Sequence, residues 1–335
     1  MRTGAELLHA TKPYAVEDRA RSWRLLITTL LVILGSLTMV IAAEHWWAKL
    51  LFSVLAGLTQ IRLFIFYHDY LHGAILRRSK TADAMMSVIG FWMLSVRSVW
   101  RETHNYHHKN NAKMIGSTIG SFPMLTLGMW RGLSAGDRLK YRMARHPLTI
   151  FFGYIPVFLI GFALSPFMRD GKKHWGGPVA LVVHFVGFAT AIYYLGWLTA
   201  ILFLIVPTSL TMGLGTFLFY AQHNFPDIKL RGRREWDYTF AALRSSSMFD
   251  MPRLMHWFTG NIGYHHIHHL NHRIPFYRLP DAMAAVEELQ SPGRTSFRWR
   301  DVRACLDLAV WNPEKDRMLT YSELRAEEDR LVHAS

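Results

Sequence analysis

VALVVHFVGFATAIYYLGWLTAILFLIVPTSLTMGLGTFLFYAQ, Val179 to Gln222, runs for 44 residues without an Asp, Glu, Lys or Arg. As α-helix it would extend about 66 Å, roughly two hydrocarbon thicknesses of a bilayer. The run therefore predicts a hairpin of two spanning helices. Its turn is expected at YYLGW, Tyr193 to Trp197, where aromatic rings and a glycine suit a membrane boundary.

Toward the N-terminus, Leu25 to Ala43 is uncharged for 19 residues and follows Arg19, Arg21 and Arg24, which places its N-terminal end on the cytoplasmic side. Trp46 and Trp47 mark the far boundary before a second apolar run, Leu50 to Tyr67. Only Arg62 interrupts that run, and its long side chain is expected to snorkel. The second span returns His68 to the cytoplasmic side. Ala84 to Trp100 is apolar but carries Arg97, so it reads as a helix in or just under the interface.

Leu148 to Met168 is also uncharged, and hydropathy alone would make it a fifth crossing. Parity opposes this: a crossing there would put His223 and everything after it across the membrane from His68 and His104. The segment is expected to be re-entrant or interfacial, bent at Gly153, Pro156 and Gly161, with Arg169, Lys172 and Lys173 on the cytoplasmic side. No later run is long enough to span. The expected fold class is all-α integral membrane: four transmembrane helices and one re-entrant or interfacial segment, under a helical cytoplasmic cap. One domain is expected: residues 1–24 as a cytoplasmic segment, 25–222 as the membrane region, 223–335 as cap and tail. The opening residues mix charges for too long to resemble a signal peptide, so the first span is expected to be retained.

Composition fits. Hydrophobic residues make up 51% and charged residues 19%, with mean hydropathy +0.10, which suits a membrane protein with sizeable aqueous parts. The single cysteine, Cys305, excludes an internal disulfide and any cysteine-based zinc or iron–sulfur site. A net charge of +14 beside long apolar runs points to cytoplasmic loops facing anionic lipid, not to nucleic acid. No glycine-rich nucleotide loop or zinc-ribbon spacing is present.

Three histidine clusters stand at the cytoplasmic ends: HDYLH from His68 to His72, HNYHH from His104 to His108, and HHIHH from His265 to His269. On a helix, positions i, i+3 and i+4 share a face. His68 with His72, His104 with His107 and His108, and His265 with His268 and His269 therefore converge in three sets. At this histidine content HxxHH should arise by chance about 0.05 times per chain, so two copies beside an HxxxH indicate metal binding. Eight imidazoles exceed what one tetrahedral zinc uses, and two irons fit the set best. Asp69, Glu102 and Asn105 lie inside the clusters where they can orient the rings, though solvated helix ends are an equal explanation for them. His45, His146, His174, His256 and His333 carry no such pattern.

HxxxH, HxxHH and HxxHH in this order, between two pairs of spans, resemble the membrane fatty acid desaturase family over roughly Tyr67 to Pro280. GNIGYHHIHHLNHRIPFYRLP, with FYAQHNF and EWDYTFAAL before it, resembles bacterial acyl-lipid desaturases in particular. The resemblance implies a di-iron centre that activates O2 and desaturates the acyl chain of a membrane lipid. It makes the eight histidines ligands, adds His223 of FYAQHNF as a ninth, and suggests that Asn261 approaches the irons through water. Tyr70 departs from the smaller residue that many relatives carry inside the first box. A bacterial inner-membrane location follows, with the boxes on the cytoplasmic side. Electrons must come from outside, since no haem or flavin module is fused, and a ferredoxin, flavodoxin or small cytochrome is the expected donor. Lys229, Arg231, Arg233 and Arg234 form a candidate docking patch, with lipid headgroups as the rival partner. The second span, the re-entrant segment and the last hairpin are expected to wall an apolar acyl channel, near Gly213 and Gly215.

A three-box hydroxylase or ketolase acting on an alkane, carotenoid or sphingolipid is the alternative. A histidine-rich metal transporter would need ligands partway through its spans, whereas only His184 lies inside one. Sequence leaves regioselectivity, acyl carrier and oligomeric state open.

Overall fold

The computed structural model describes residues 2–114 and 119–334. Its architecture is mostly helical, and among the described residues three helices are long and apolar enough to cross a membrane: Arg19–Ala42, Trp46–His72 and Gly176–Gln222. Asp18 caps the first by accepting the Arg21 N–H at 2.9 Å. Leu26, Ile33, Leu37 and Val40 of this helix are buried, while Ile27, Leu31, Leu34 and Ile41 face outward, so an apolar protein face stands opposite an apolar outer face. Such two-sided apolarity suits a helix between protein and lipid.

Helix Trp46–His72 is the centre of the packing, with the first helix on one side and Val206–Gln222 on the other. Gly57 permits that second contact: a Cβ there would stand 2.9 Å from the Pro207 carbonyl oxygen. The Thr211 hydroxyl donates to the Gly57 carbonyl at 2.8 Å across the same crossing. Arg62 does not snorkel. It is buried, donates to Thr29 Oγ1 at 3.1 Å and to the Trp257 carbonyl at 2.7 Å, and lies over the Trp257 and Phe276 rings. These bonded partners supply what headgroups would have supplied, and they tie the first two long helices to the chain around Trp257.

The 47-residue apolar element Gly176–Gln222 is interrupted at Gly196, with φ 74° and ψ 164°, inside the YYLGW segment. Tyr193, Tyr194 and Trp197 beside it are exposed. The Leu148 to Met168 run forms a short helix, Pro147–Phe151, then a π-helical stretch, Tyr154–Leu164, continuing through Ser165–Arg169. At 16 residues the apolar part Tyr154–Arg169 reaches only about 24 Å, short of a hydrocarbon thickness. Gly153 lets it lie against the last span, because a Cβ there would collide with Thr216. Gly213 makes the reciprocal approach, against the Phe151 carbonyl, so its role is close packing; beside Gly215 the space is open.

Two further expectations are corrected. Ala84 to Trp100 is not one helix: Lys80–Trp92 ends, the chain turns through Leu94 at φ 50°, and a new helix, Arg97–Asn110, begins. The Tyr67 hydroxyl donates to the Ser95 carbonyl at 2.5 Å, fixing the turn that re-aims the second histidine box. Nor is the region after residue 222 purely helical. Met248–Asp250 pairs in parallel with Arg294–Ser296, and Leu308–Asn312 pairs antiparallel with Arg317–Thr320. LAVWN is buried along its whole length, which suits a short strand better than a half-exposed helix. The main core runs without a break from Leu26 and Phe66 through Trp100, Phe217 and Tyr220 to Ile267, Leu270 and Phe276. Fully buried Arg145 adds a polar tie, donating to Asn224 Oδ1 at 2.6 Å and to the Leu308 carbonyl at 3.0 Å.

Candidate metal centre

All three boxes lie on helical turns, and the turns meet. Box one closes helix Trp46–His72, where Gly73 in the left-handed region (φ 69°) ends the helix directly after His72. Box two occupies the second half of Arg97–Asn110, and box three forms the short helix His265–Leu270. His223 is the residue that ends Val206–Gln222.

The nine histidines divide into two groups. His68, His72, His104, His108 and His268 form one; His107, His223, His265 and His269 form the other, and within each group one ring nitrogen per residue lies within 4.8 Å of all its partners. In the second group the Nε2 atoms form a closed ring: His107 to His223 3.1 Å, His223 to His265 2.9 Å, His265 to His269 3.2 Å, and His269 to His107 3.2 Å. In the first, His104 Nε2 meets His68 Nε2 at 3.0 Å and His108 Nε2 at 3.1 Å, and His108 meets His268 at 3.1 Å. His72 Nε2 is buried without a hydrogen-bond partner.

Protons cannot satisfy this arrangement. Each Nε2 carries either one N–H or one in-plane lone pair, so a ring of four contacts admits at most half as many hydrogen bonds. A cation at the centre accepts every lone pair at once. The spacing also discriminates: metal–nitrogen bonds of about 2.1 Å give neighbouring donors about 3.0 Å apart at right angles and about 3.4 Å apart in a tetrahedron. The observed edges, 2.9 to 3.2 Å, lie nearer the former.

Electrostatics agree. Burial, with neighbouring imidazoles adding to it, holds His104, His107, His108, His265, His268 and His269 well below the ordinary histidine range. Burial likewise lowers His223 to about 4, against a raising contribution from its bond to the Ser245 carbonyl. Neutral imidazole is the form that binds metal.

The remaining ring nitrogens are oriented unevenly. His68 Nδ1 pairs with Asp69 Oδ1 at 3.0 Å, while Asp69 Oδ2 accepts the Phe276 N–H at 2.8 Å. His107 Nδ1 bonds Ser121 Oγ at 2.6 Å, and His223 Nδ1 donates to the Ser245 carbonyl at 3.3 Å. Glu102, by contrast, turns outward to Lys173 and to His174, the latter at 3.3 Å. Asn105 is exposed, and Asn261 donates to the Phe276 carbonyl at 3.1 Å. His174 bonds Ser98, His146 caps the helix after it, and His45 stacks on Trp47. Tyr70 points away from the rings, donating to Asp83 at 2.7 Å.

Sequence reasoning missed several contributors. Ser121 and Ser245 carry no local signal, being distant in sequence from the rings they orient. Trp100 lies 4.4 Å from the His104 ring and 5.0 Å from that of His72. His272 lies 4.8 Å from the His72 ring and 5.3 Å from that of His108, and burial lowers it to about 4. Its i+4 spacing from His268 was the available signal, although the helix ends before it.

An apolar cleft lined by Phe122, Met124, Phe219 and Leu230 reaches His107 and His223. Of the basic residues beyond it, Lys229 and Arg231 both pair with Asp316, at 2.8 and 2.7 Å, while Arg233 and Arg234 are exposed.

The sequence model described as "Fatty acid desaturase" matches residues 44–301. The chain is 32% identical over 277 residues to the "Fatty acid desaturase" of Bacillus subtilis (strain 168), covering 82% of this chain and 77% of that one. It is 22% identical over 260 residues to the "sn-1 oleoyl-lipid 12-desaturase" of Synechocystis sp., covering 76% and 73% of the two chains. It is 23% identical over 251 residues to the chloroplastic "Omega-6 fatty acid desaturase" of Spinacia oleracea, covering 74% of this chain and 55% of that one. With its histidines gathered beside long apolar helices and this match across most of its length, the chain belongs to the fatty acid desaturase family and is an enzyme of that family.

Proposed function

We propose that the two histidine groups hold two iron ions and that the enzyme desaturates the acyl chain of a membrane lipid. The reaction removes one hydrogen from each of two adjacent methylenes, forming a carbon–carbon double bond. O2 is reduced to two waters, taking the two hydrogens as protons and electrons together with two external electrons and two further protons. Iron supplies the oxidising chemistry when bound, and the polypeptide supplies position. The observation that carries this reading is the closed ring of His107, His223, His265 and His269 Nε2 atoms beside a second group of five imidazoles.

The residues divide the work. Asp69, Ser121 and the Ser245 carbonyl fix the rings of His68, His107 and His223, and buried surroundings keep the imidazoles neutral. A methylene chain offers no polar handle, so an apolar wall must set its depth. The cleft of Phe122, Met124, Phe219 and Leu230 provides such a wall beside the second group. The lipid acyl substrate is supported by the Synechocystis relative, whose name specifies an oleoyl lipid.

In the membrane, Arg19–Ala42 and Trp46–His72 cross once each, and the element broken at Gly196 crosses twice, giving four spans in a single domain with the histidines on the cytoplasmic side of a bacterial inner membrane. The short Tyr154–Arg169 segment is re-entrant or interfacial. An acidic ferredoxin, flavodoxin or small cytochrome delivers electrons at the basic turn, chiefly to Arg233 and Arg234, since Asp316 neutralises part of the charge of Lys229 and Arg231.

Expression in a host with few unsaturated lipids should produce a new double bond detectable by lipid mass spectrometry. An oxygenated product in its place would select the hydroxylase or ketolase reading. Alanine at His104, His108, His265 or His269 should abolish the product and the bound iron while leaving membrane insertion intact.

A further inference from the structure

We propose that a cleft beside the first histidine group binds the phosphate of an anionic headgroup. The cleft has a volume of about 270 Å³ and is lined by Arg77, Arg78, Arg101 and Arg273, with Tyr70 and His72 in its wall. This deepens the acyl-lipid reading above and rests on it for the identity of the lipid, though not for the site.

The arginines come from the flanks of all three boxes. Arg77 and Arg78 follow His72, Arg101 precedes His104, and Arg273 follows His269. The folding that gathers the imidazoles therefore gathers four guanidiniums at one side of them. Two converge closely: a Cβ on Gly73 would stand 3.6 Å from Cδ and Nε of Arg77 and 3.7 Å from Nη1 of Arg273. Among the described residues, none of the four pairs with a carboxylate, whereas Arg97 nearby is held by Asp83 at 2.8 Å. All four are exposed, and among the described residues only Arg101 feels a nearby carboxylate, that of Asp83; a multiply hydrogen-bonding anion is the ligand such a cluster suits.

The loop between Gly73 and Arg78 holds an uncommon backbone conformation. Gly73, Leu76 and Arg78 have φ of 69°, 51° and 59°, and for the latter two residues the left-handed region is costly. These residues carry the loop that presents Arg77 and Arg78. Its level is also suitable. Arg19, at the start of the first apolar helix, donates to the Arg77 carbonyl at 3.0 Å, and Gly73 ends the second apolar helix, so the cleft stands where two spans leave the membrane. A headgroup phosphate belongs at that level. The cleft's volume suits such a group, while a folded protein could meet only its rim.

The test is calorimetric titration of the full-length, iron-loaded protein in a maltoside detergent. The probes are dihexanoyl phosphatidylglycerol, coenzyme A and inorganic phosphate, with dihexanoyl phosphatidylcholine as the zwitterionic control. Saturable phosphatidylglycerol binding, weakened tenfold or more by Arg77→Gln with Arg273→Gln at unchanged iron content, supports the site with lipid as its source. Equal or tighter binding of coenzyme A or inorganic phosphate, with the same loss, supports the site with a free phosphate group as source. Arg101→Gln, on an exposed helical surface, should weaken the same probe and serves if the double variant does not fold. Binding that is unchanged in the variants, or no binding by any probe, overturns the proposal. Arginine-dependent binding in a protein that forms no double bond would instead overturn the desaturase reading and leave the cleft standing.

Discussion

Asp69 accepts the backbone N–H of Phe276 at 2.8 Å with one carboxylate oxygen while the other meets His68 Nδ1, so the end of the second span and the chain beyond box three share one buried side chain. Asp69→Asn keeps the size but removes the charge that fixes the His68 tautomer. Metal affinity of the first group should fall about 10- to 100-fold, with the second group's metal retained. Metal analysis per protein, read against a chelator titration, checks it; equal loss from both groups would show a general folding role.

Gly213 and Gly215 form a matched pair for testing the packing of the re-entrant segment. A methyl at residue 213 must collide with the Phe151 carbonyl, whereas at residue 215 it meets open space. Gly213→Ala should destabilise the protein by about 1–3 kcal/mol. Gly215→Ala should be neutral. Thermal unfolding in detergent distinguishes them.

Acid should destabilise the metal-free protein. The imidazole of His223 is lowered to about 4 by burial, against an ordinary value near 6.5, so between these pH values the unfolded chain binds more protons than the folded one. Stability is therefore complete above about pH 6.5 and is lost as pH falls toward 4, and the other lowered histidines act in the same direction. A melting temperature of apoprotein that stays flat from pH 7 to pH 4 would contradict this. Metal-loaded protein should resist to lower pH until protons displace the ion.

Topology has its own test. Cysteine or glycosylation tags near Gly171 should be inaccessible from outside the cell under the proposed re-entrant or interfacial placing of Tyr154–Arg169. External labelling there would reverse the side assigned to the third box relative to the first two.

The long apolar helices and the boxes were legible because each depends on a local regularity. Uncharged length announces a membrane helix, and HxxxH or HxxHH announces a shared helical face. The break at Gly196 was legible for the same reason, since a glycine between aromatic residues marks its own turn. Other features depend on partners far away in sequence. Arg62 reads as a snorkelling side chain until Thr29 and the Trp257 carbonyl are seen around it. Glu102 sits two residues before the second box, yet its exposed helical face takes it to Lys173. The division into five and four histidines could not be read from spacing, because neighbouring His107 and His108 part company to opposite groups.

That parting of neighbours sets an order on biogenesis. Each group draws on box two and on box three, so a ribosome that has delivered every apolar span has still not completed either one. Until box three emerges, the long apolar helices carry two incomplete groups of imidazoles. A metal that requires the whole of either group can therefore load only after box three, which would distinguish a finished polypeptide from a truncated one.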